Sequence, residues 1–551
     1  MKGQEHLKKP EQFAQIYDKG SSFADRLLAL KAMPNGLEFG DGSAEFISTA
    51  ETASYEHYGS LRGDFILSDR VQASARLTMD GAETSHPDDF QLWDIRADSR
   101  FAFLHSDVRW VQSPSTLHTF RFGFSHVRNT DEAVAPDTLP ELSFVEGRPL
   151  GNIEVTGLTS PADAAVGALP RTQTLRNAQF NYEASLSRGS HSLRFGAGFD
   201  RLGFRQRSDF NAAGRYRFSS IESLLLAEPI GGDLMAPDSD TKRRWSQNQY
   251  YFFLQDEIRV LPRLSLTAGV RYEGYSTPEE ADGKIATLPD PLHDTQTTIG
   301  GPLFDNPSAT NFAPRAALAW DVTGTGNTVV RAGAGMFFDL LTSRELTIAG
   351  MRVPPFFRRL FVNNPSFPDL VKAASDEVPD PSIDGTAYQV EQPYVLQFRF
   401  SVERRIGANM AAEAGYSGSR GIHLYGQYGD LNIAQPEQLA DGRLFFPAAA
   451  PLRNPALGRI GLRATDFDSS YHALTLSLRR QMSAGLRFQA SYTWAKAIDN
   501  SSSATLADFG NSDRNPHPLN LRNQRGPADF DIRHSFSADA GWQAPVRITA
   551  G

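Results

Sequence analysis

Gln392 to Leu424 reads QPYVLQFRFSVERRIGANMAAEAGYSGSRGIHL. Taken two by two, Tyr394, Leu396, Phe398, Phe400 and Val402 fall on one side, and Gln397, Arg399, Ser401 and Glu403 on the other. This is the alternation of a strand with one apolar and one wet face. After a short connection around Gly407 to Asn409, Met410, Ala412, Ala414 and Tyr416 alternate with Ala411, Glu413, Gly415 and Ser417, so the stretch predicts an antiparallel hairpin.

The pattern returns on both sides of this hairpin. Upstream, strands are expected at 61–69 and 71–79, at about 99–111 and 116–127 (with Phe120, Phe122 and Phe124 on one face), at about 177–204 folded over SRGSH, at 247–275 with Pro262 in the connection, and at 312–338 turned at Thr323 to Asn327. Downstream, they are expected at about 470–496 and from Ile532 to Trp542. Residues 1–57 are weakly patterned, with a short helix predicted over Phe23 to Asn35. The inserts at about 128–171, 206–245, 340–391 and 425–468, and the polar run from Ile498 to Phe530, read as long surface loops.

Connections thus alternate between a few residues and some thirty to fifty. A sandwich has no need of that asymmetry, and no blade motif recurs as a propeller would require. A transmembrane barrel with short periplasmic turns and long extracellular loops does show it. The fold expected is therefore all-β, a transmembrane antiparallel barrel of about 14 strands. Aromatic residues near strand ends, namely Tyr272, Tyr275, Phe337, Phe338, Tyr492, Trp494 and Trp542, are expected in the interfacial girdles.

Composition narrows the function. The 551 residues exceed one ordinary compact core. The absence of cysteine removes disulfides, thiolate metal sites and cysteine nucleophiles. A net charge of −9 without a basic block argues against a nucleic-acid partner. No run of 18 apolar residues offers a membrane-spanning helix. The mean hydropathy of −0.38 does not exclude a barrel, in which only alternate residues face lipid. The opening MKGQEHLKKPEQFAQIYDKG lacks the apolar core of a secretory signal, which leads to the expectation that the chain is a piece of something longer.

Five segments carry a family resemblance: LPRLSLTAGVRYEGYSTPEE (261–280), NFAPRAALAWDVTGTGNTVVRAGAGMFFD (311–339), residues 393–424, SSYHALTLSLRRQMSAGLRFQASYTWAKAIDNSSS (469–503) and RGPADFDIRHSFSADAGWQAP (525–545). In this order they resemble the Oar-like subclass of TonB-dependent outer-membrane receptors. The resemblance implies a signal peptide, a small β-sandwich, a plug and a barrel of roughly 22 strands. It also implies placement in the outer membrane of a Gram-negative-type bacterium, an unidentified solute bound at extracellular loops, and gating by an inner-membrane TonB-type energy transducer acting on the plug. On this reading 1–57 is an irregular start and 58–551 an incomplete barrel domain, with signal, plug, TonB box and closing strands lying outside the sequence. The other reading is a surface barrel that displays its loops and transports nothing, or a non-functional gene fragment.

Enzymatic signatures are weak. Asp529, Asp531 and His534 in ADFDIRHSF read as turn residues and a strand residue, Ser417 in GYSGS lacks the nucleophile-elbow spacing, and GTGN at 324–327 is a turn. No catalytic residue, metal or cofactor is expected. The residues assigned by face are Arg271, Glu273, Arg399, Glu403 and Arg479 toward the lumen, and Leu266, Val270, Phe398, Phe400, Leu476 and Leu478 toward lipid.

Overall fold

A computed structural model describes residues 36–39, 44–45, 47, 49, 51–88, 93–134, 143–158, 169–341, 350–376, 380–447, 450–483, 485–502 and 519–543. The helix expected over Phe23 to Asn35 lies outside them. Fifteen long strands form the main sheet among the described residues: β1 (Ala53–Ser68), β2 (Val71–Pro87), β3 (Asp94–Ser113), β4 (Thr116–Val134), β5 (Arg171–Arg188), β6 (His191–Ser208), β7 (Arg243–Leu261), β8 (Leu264–Tyr275), β9 (Phe312–Asp321), β10 (Thr328–Phe338), β11 (Tyr394–Ile406), β12 (Met410–Tyr428), β13 (Ile460–Ser483), β14 (Leu486–Asp499) and β15 (His534–Trp542). Each is antiparallel to the next, an up-and-down meander from β1 to β15.

Turn chemistry explains one end of this meander. Between β9 and β10 the Asp321 carboxylate accepts from the amides of Gly324 (3.0 Å) and Gly326 (2.8 Å), both glycines having positive φ. The turn that GTGN announced is thus locked by the last residue of the strand before it.

Register fixes the faces, because directly opposed residues share one. Leu266 lies opposite Leu318, Leu318 opposite Ala332, Ala332 opposite Phe400, Phe400 opposite Tyr416, and Tyr416 opposite Leu474. Val270, Phe398, Leu476 and Leu478 are an even number of residues from members of this row, so all six residues assigned to lipid share its apolar face. Phe400 and Leu476 are 48% and 46% exposed there, beside Trp494 at 53%.

The strands run longer than the sequence pattern suggested. The segment GAETSHP, expected in a loop, is the end of β2, and Arg128–Val134 completes β4. The inserts also carry structure that their irregular look concealed. Asn152–Val155 pairs in parallel with Arg215–Phe218, which pairs antiparallel with Gly231–Met235, which pairs antiparallel with Arg359–Asn363. This four-stranded sheet gathers Phe144, Ile153, Tyr216, Phe218, Leu234, Val362 and Leu370 into one buried cluster. Each insert supplies only a few of these apolar residues, too few for a period to show.

Two aromatic residues expected in the girdles lie elsewhere. Tyr275 is buried and its hydroxyl donates to Gln392 Oε1 at 2.8 Å, while Phe337 lies beneath the guanidinium of Arg315, 4.4 Å from ring centre to Cζ. Parity is the reason: Phe337 and Phe338 are adjacent in a strand and point to opposite faces.

Candidate functional site: the polar face and the loop cap

Behind the apolar face lies a face of interleaved charges. Glu403 takes two arginines, Arg331 Nη1 from the adjacent β10 at 3.1 Å and Arg479 Nη2 from β13, one strand further on, at 2.8 Å. Arg399 Nη2 donates to Glu413 Oε1 at 3.2 Å across the β11–β12 pair. A recess of about 250 Å³ opens beside them, lined by Arg399, Glu413, Gly415, Tyr416, Ser417, Thr475 and Ser477. Ser417, opposite Arg399, is therefore one wall of a polar recess.

Arg271 and Glu273 pair with each other, Nε to Oε1 at 2.5 Å. The Arg271 guanidinium stacks 3.7 Å from the ring centre of Tyr251, whose hydroxyl donates to Asn181 Oδ1 at 2.5 Å. Tyr251 spans the intervening strand by lying over Gly198, where a Cβ would sit 2.2 Å from the ring. Partly exposed pairs of this kind contribute little individually to stability. Collectively they make the face wettable and charged in both signs.

At the long-loop end the charges are buried. Asp233, wholly inaccessible, receives Arg215 Nη2 at 2.7 Å, Arg359 Nη2 at 2.8 Å and the Asn211 amide. Burial alone raises its carboxyl, but the Arg359 and Arg215 charges with the hydrogen bonds of Arg215 and Asn211 outweigh it and hold the group below the usual carboxylate range. Asp384, on the short strand Ile383–Thr386 that pairs in parallel with the start of β13, faces Arg352 at 3.5 Å and Arg463 at 3.6 Å. There too burial raises the carboxyl, and the Arg463, Arg352 and Arg459 charges bring it below the usual range. These opposite charges tie the inserts to one another at the long-loop end.

Of the residues assigned to the lumen, the structure joins Glu403 with Arg479 directly and sets Arg399 nearby. Arg271 and Glu273 form a separate pair, with β9 and β10 between the two groups. All five share one face, since Glu403 opposes Glu413 and Glu413 opposes Ser477, while Arg271 opposes Ala313 and Arg315 opposes Gly335, itself opposite Gln397. The sequence reading missed Arg331 and Glu413, whose strand parity was available as a signal, and Asp233, Arg215, Arg359 and Asp384, for which no local signal exists. The ADFDIRHSF residues do not converge: His534 Nδ1 meets the Tyr492 hydroxyl at 2.8 Å on the apolar face, whereas Asp531 accepts from the Ala497 amide at 2.7 Å.

A meander with one continuous apolar face, a charged opposite face and loops gathered at one end defines a transmembrane β-barrel protein of the outer membrane. The sequence matches the family model described as outer membrane beta barrel domain over residues 5–549, and the chain belongs to that family. No curated protein matches it. Among solved structures, the outer membrane transporter YddB from Escherichia coli aligns with a TM-score of 0.50 at 12% identity, covering 84% of this chain and 50% of that one. The ferripyoverdine receptor of the outer membrane of Pseudomonas aeruginosa aligns at 0.47 and 10% identity, covering 90% and 53%. The chain spans about half the length of these structures. The likeness to YddB is one of fold, and it agrees with the outer-membrane barrel implied by the sequence resemblance.

Proposed function

We propose that this chain is the barrel part of a TonB-dependent receptor of the Oar-like subclass, binding a solute at its capped extracellular loops and admitting it by energy-coupled movement of a plug. The observation that carries the reading is the pairing of a charged face with an ordered loop cap on a fold shared with an outer-membrane transporter. On this reading Arg271, Glu273, Arg399, Glu403 and Arg479 line the lumen or meet the plug. Leu266, Val270, Phe398, Phe400, Leu476 and Leu478 meet lipid. Residues 58–551 belong to the barrel domain and 1–57 to its irregular start.

The test is to sequence the DNA on both sides of the frame and map peptides from purified outer membranes. A plug and TonB box joined to this barrel in one native product support transport, and loss of the transducer should then abolish uptake. A native product without either would identify a barrel that displays its loops and transports nothing.

A further inference from the structure

On β5 and β6 the apolar face ends sharply toward the loops, and its boundary there is basic. On β6 the positions of this face run His191, Leu193, Phe195, Ala197, Phe199, Arg201, Gly203, Arg205. From His191 to Arg201 the strand climbs about 33 Å at ~3.3 Å per residue. At a tilt of ~40° that is about 25 Å along the membrane normal, the height of the apolar band of such barrels. Phe180 on β5 lies opposite Phe199, both about half exposed, and closes the top of the band. Immediately beyond it, toward the loops, come Arg176 on β5 and Arg201 and Arg205 on β6, all exposed on this face.

Between these arginines lies a groove of about 350 Å³ bordered by Phe124, Arg176, Arg201, Gly203, Arg205 and Arg244. Gly203 forms its floor: a Cβ there would meet only the Arg176 carbonyl oxygen, at 4.0 Å. Arg244 is held by Asp282, and so supplies little free charge. Among the described residues the other three have no carboxylate partner. Arg176 Nε donates to His126 Nδ1 at 3.3 Å, and Arg201 Nη1 donates to Asn248 Oδ1 at 2.9 Å, both neutral acceptors in this pairing. Three uncompensated guanidinium groups side by side are unusual on a chain whose net charge is −9.

We propose that this groove binds the phosphate of a lipid of the outer leaflet, its acyl chains lying down the Phe124, Phe180 and Phe199 side of the band. Guanidinium groups suit phosphate because their planar forks donate in pairs and give up hydration readily. A basic pocket at headgroup level adds membrane-surface attraction. The aromatic band below the groove selects a phosphate that carries hydrocarbon over one free in water. The inference rests on the reading of the apolar face as lipid-facing.

The test uses the full chain purified in detergent, stripped of lipid, and titrated with phosphatidylcholine bicelles with and without lipid A, a diphosphorylated glycolipid. Wild type should retain lipid A in preference to its dephosphorylated form. The R176Q/R201Q/R205Q variant should weaken that retention by at least roughly tenfold, given the typical contribution of each basic residue near a membrane surface. Gly203→Trp, which keeps every charge and fills the groove, should weaken it as well, while Arg399→Gln on the opposite face should not. Equal retention of phosphorylated and dephosphorylated lipid, or full retention by both groove variants, would overturn the proposal. So would displacement by millimolar inorganic phosphate, which would assign the groove to a soluble anion. A chain that stays dispersed and folded without detergent would instead sink the barrel reading itself.

Discussion

Arg359 Nη2 lies 2.8 Å from Asp233 Oδ2, although 126 residues of chain separate the two. The pair joins two inserts through a carboxylate that no solvent reaches. Its protonation should therefore control the cap. Because the folded-state carboxyl lies below its unfolded value, its contribution is complete above the ordinary aspartate value of about 3.9 and is lost as pH falls through the depressed folded value. Amide protection factors across residues 209–242, taken relative to the intrinsic exchange rate at each pH, should be flat from neutral pH down to about 4 and fall below it. A fall centred near pH 6 would show that another group governs the cap.

Asp233→Asn should be costly for the cap, by about 3–5 kcal/mol, since it leaves the Arg359 charge buried without its counter-charge and Arg215 with Glu154 alone. Glu403→Gln also removes a negative charge shared by two arginines, but on a partly exposed face, and should cost under about 1 kcal/mol. Thermal unfolding of the two variants side by side checks the ordering, and comparable losses would contradict the difference in burial.

Phe398 and Arg399 are neighbours on opposite faces. The Phe398 ring covers Gly418, where a Cβ would come within 2.4 Å of it, whereas Arg399 reaches Glu413 on the polar side. Phe398→Arg should weaken membrane insertion by about 2–4 kcal/mol if the position lies near mid-bilayer. Arg399→Ala should be tolerated. Folding titrations into lipid vesicles measure both, and equal effects would undo the assignment of faces.

Gly198 gives Tyr251 the room to reach Asn181. Gly198→Ala places a methyl group inside the ring and should cost about 1–3 kcal/mol, the usual range for forced overpacking. Tyr251→Ala in the same chain should relieve most of that loss. A double variant whose effects simply add would show that the ring and the glycine do not meet.

Much of the barrel was legible because its information is local. The alternation of Leu396, Phe398, Phe400 and Val402 with Gln397, Arg399, Ser401 and Glu403 assigns two faces with no knowledge of neighbours. The glycines of GTGN announce their turn in the same way. Strand ends were read short because the apolar alternation fades where polar extensions such as Arg128–Val134 continue the ladder. On the charged face, Arg399, Glu403 and Arg479 were visible by parity, but the sharing of Glu403 between Arg479 and Arg331 was not.

The sequence by itself determined that the chain alternates, where it turns, and which side of each strand is apolar, because side-chain direction in a strand has a period of two residues. Only the tertiary structure decided the rest. The parallel pairings of Asn152–Val155 with Arg215–Phe218 and of Ile383–Thr386 with β13, and the burial of Asp233 between Arg215 and Arg359, all depend on register between segments far apart in the chain. Register is set by the packing of whole strands and inserts against one another, and no window of sequence contains it.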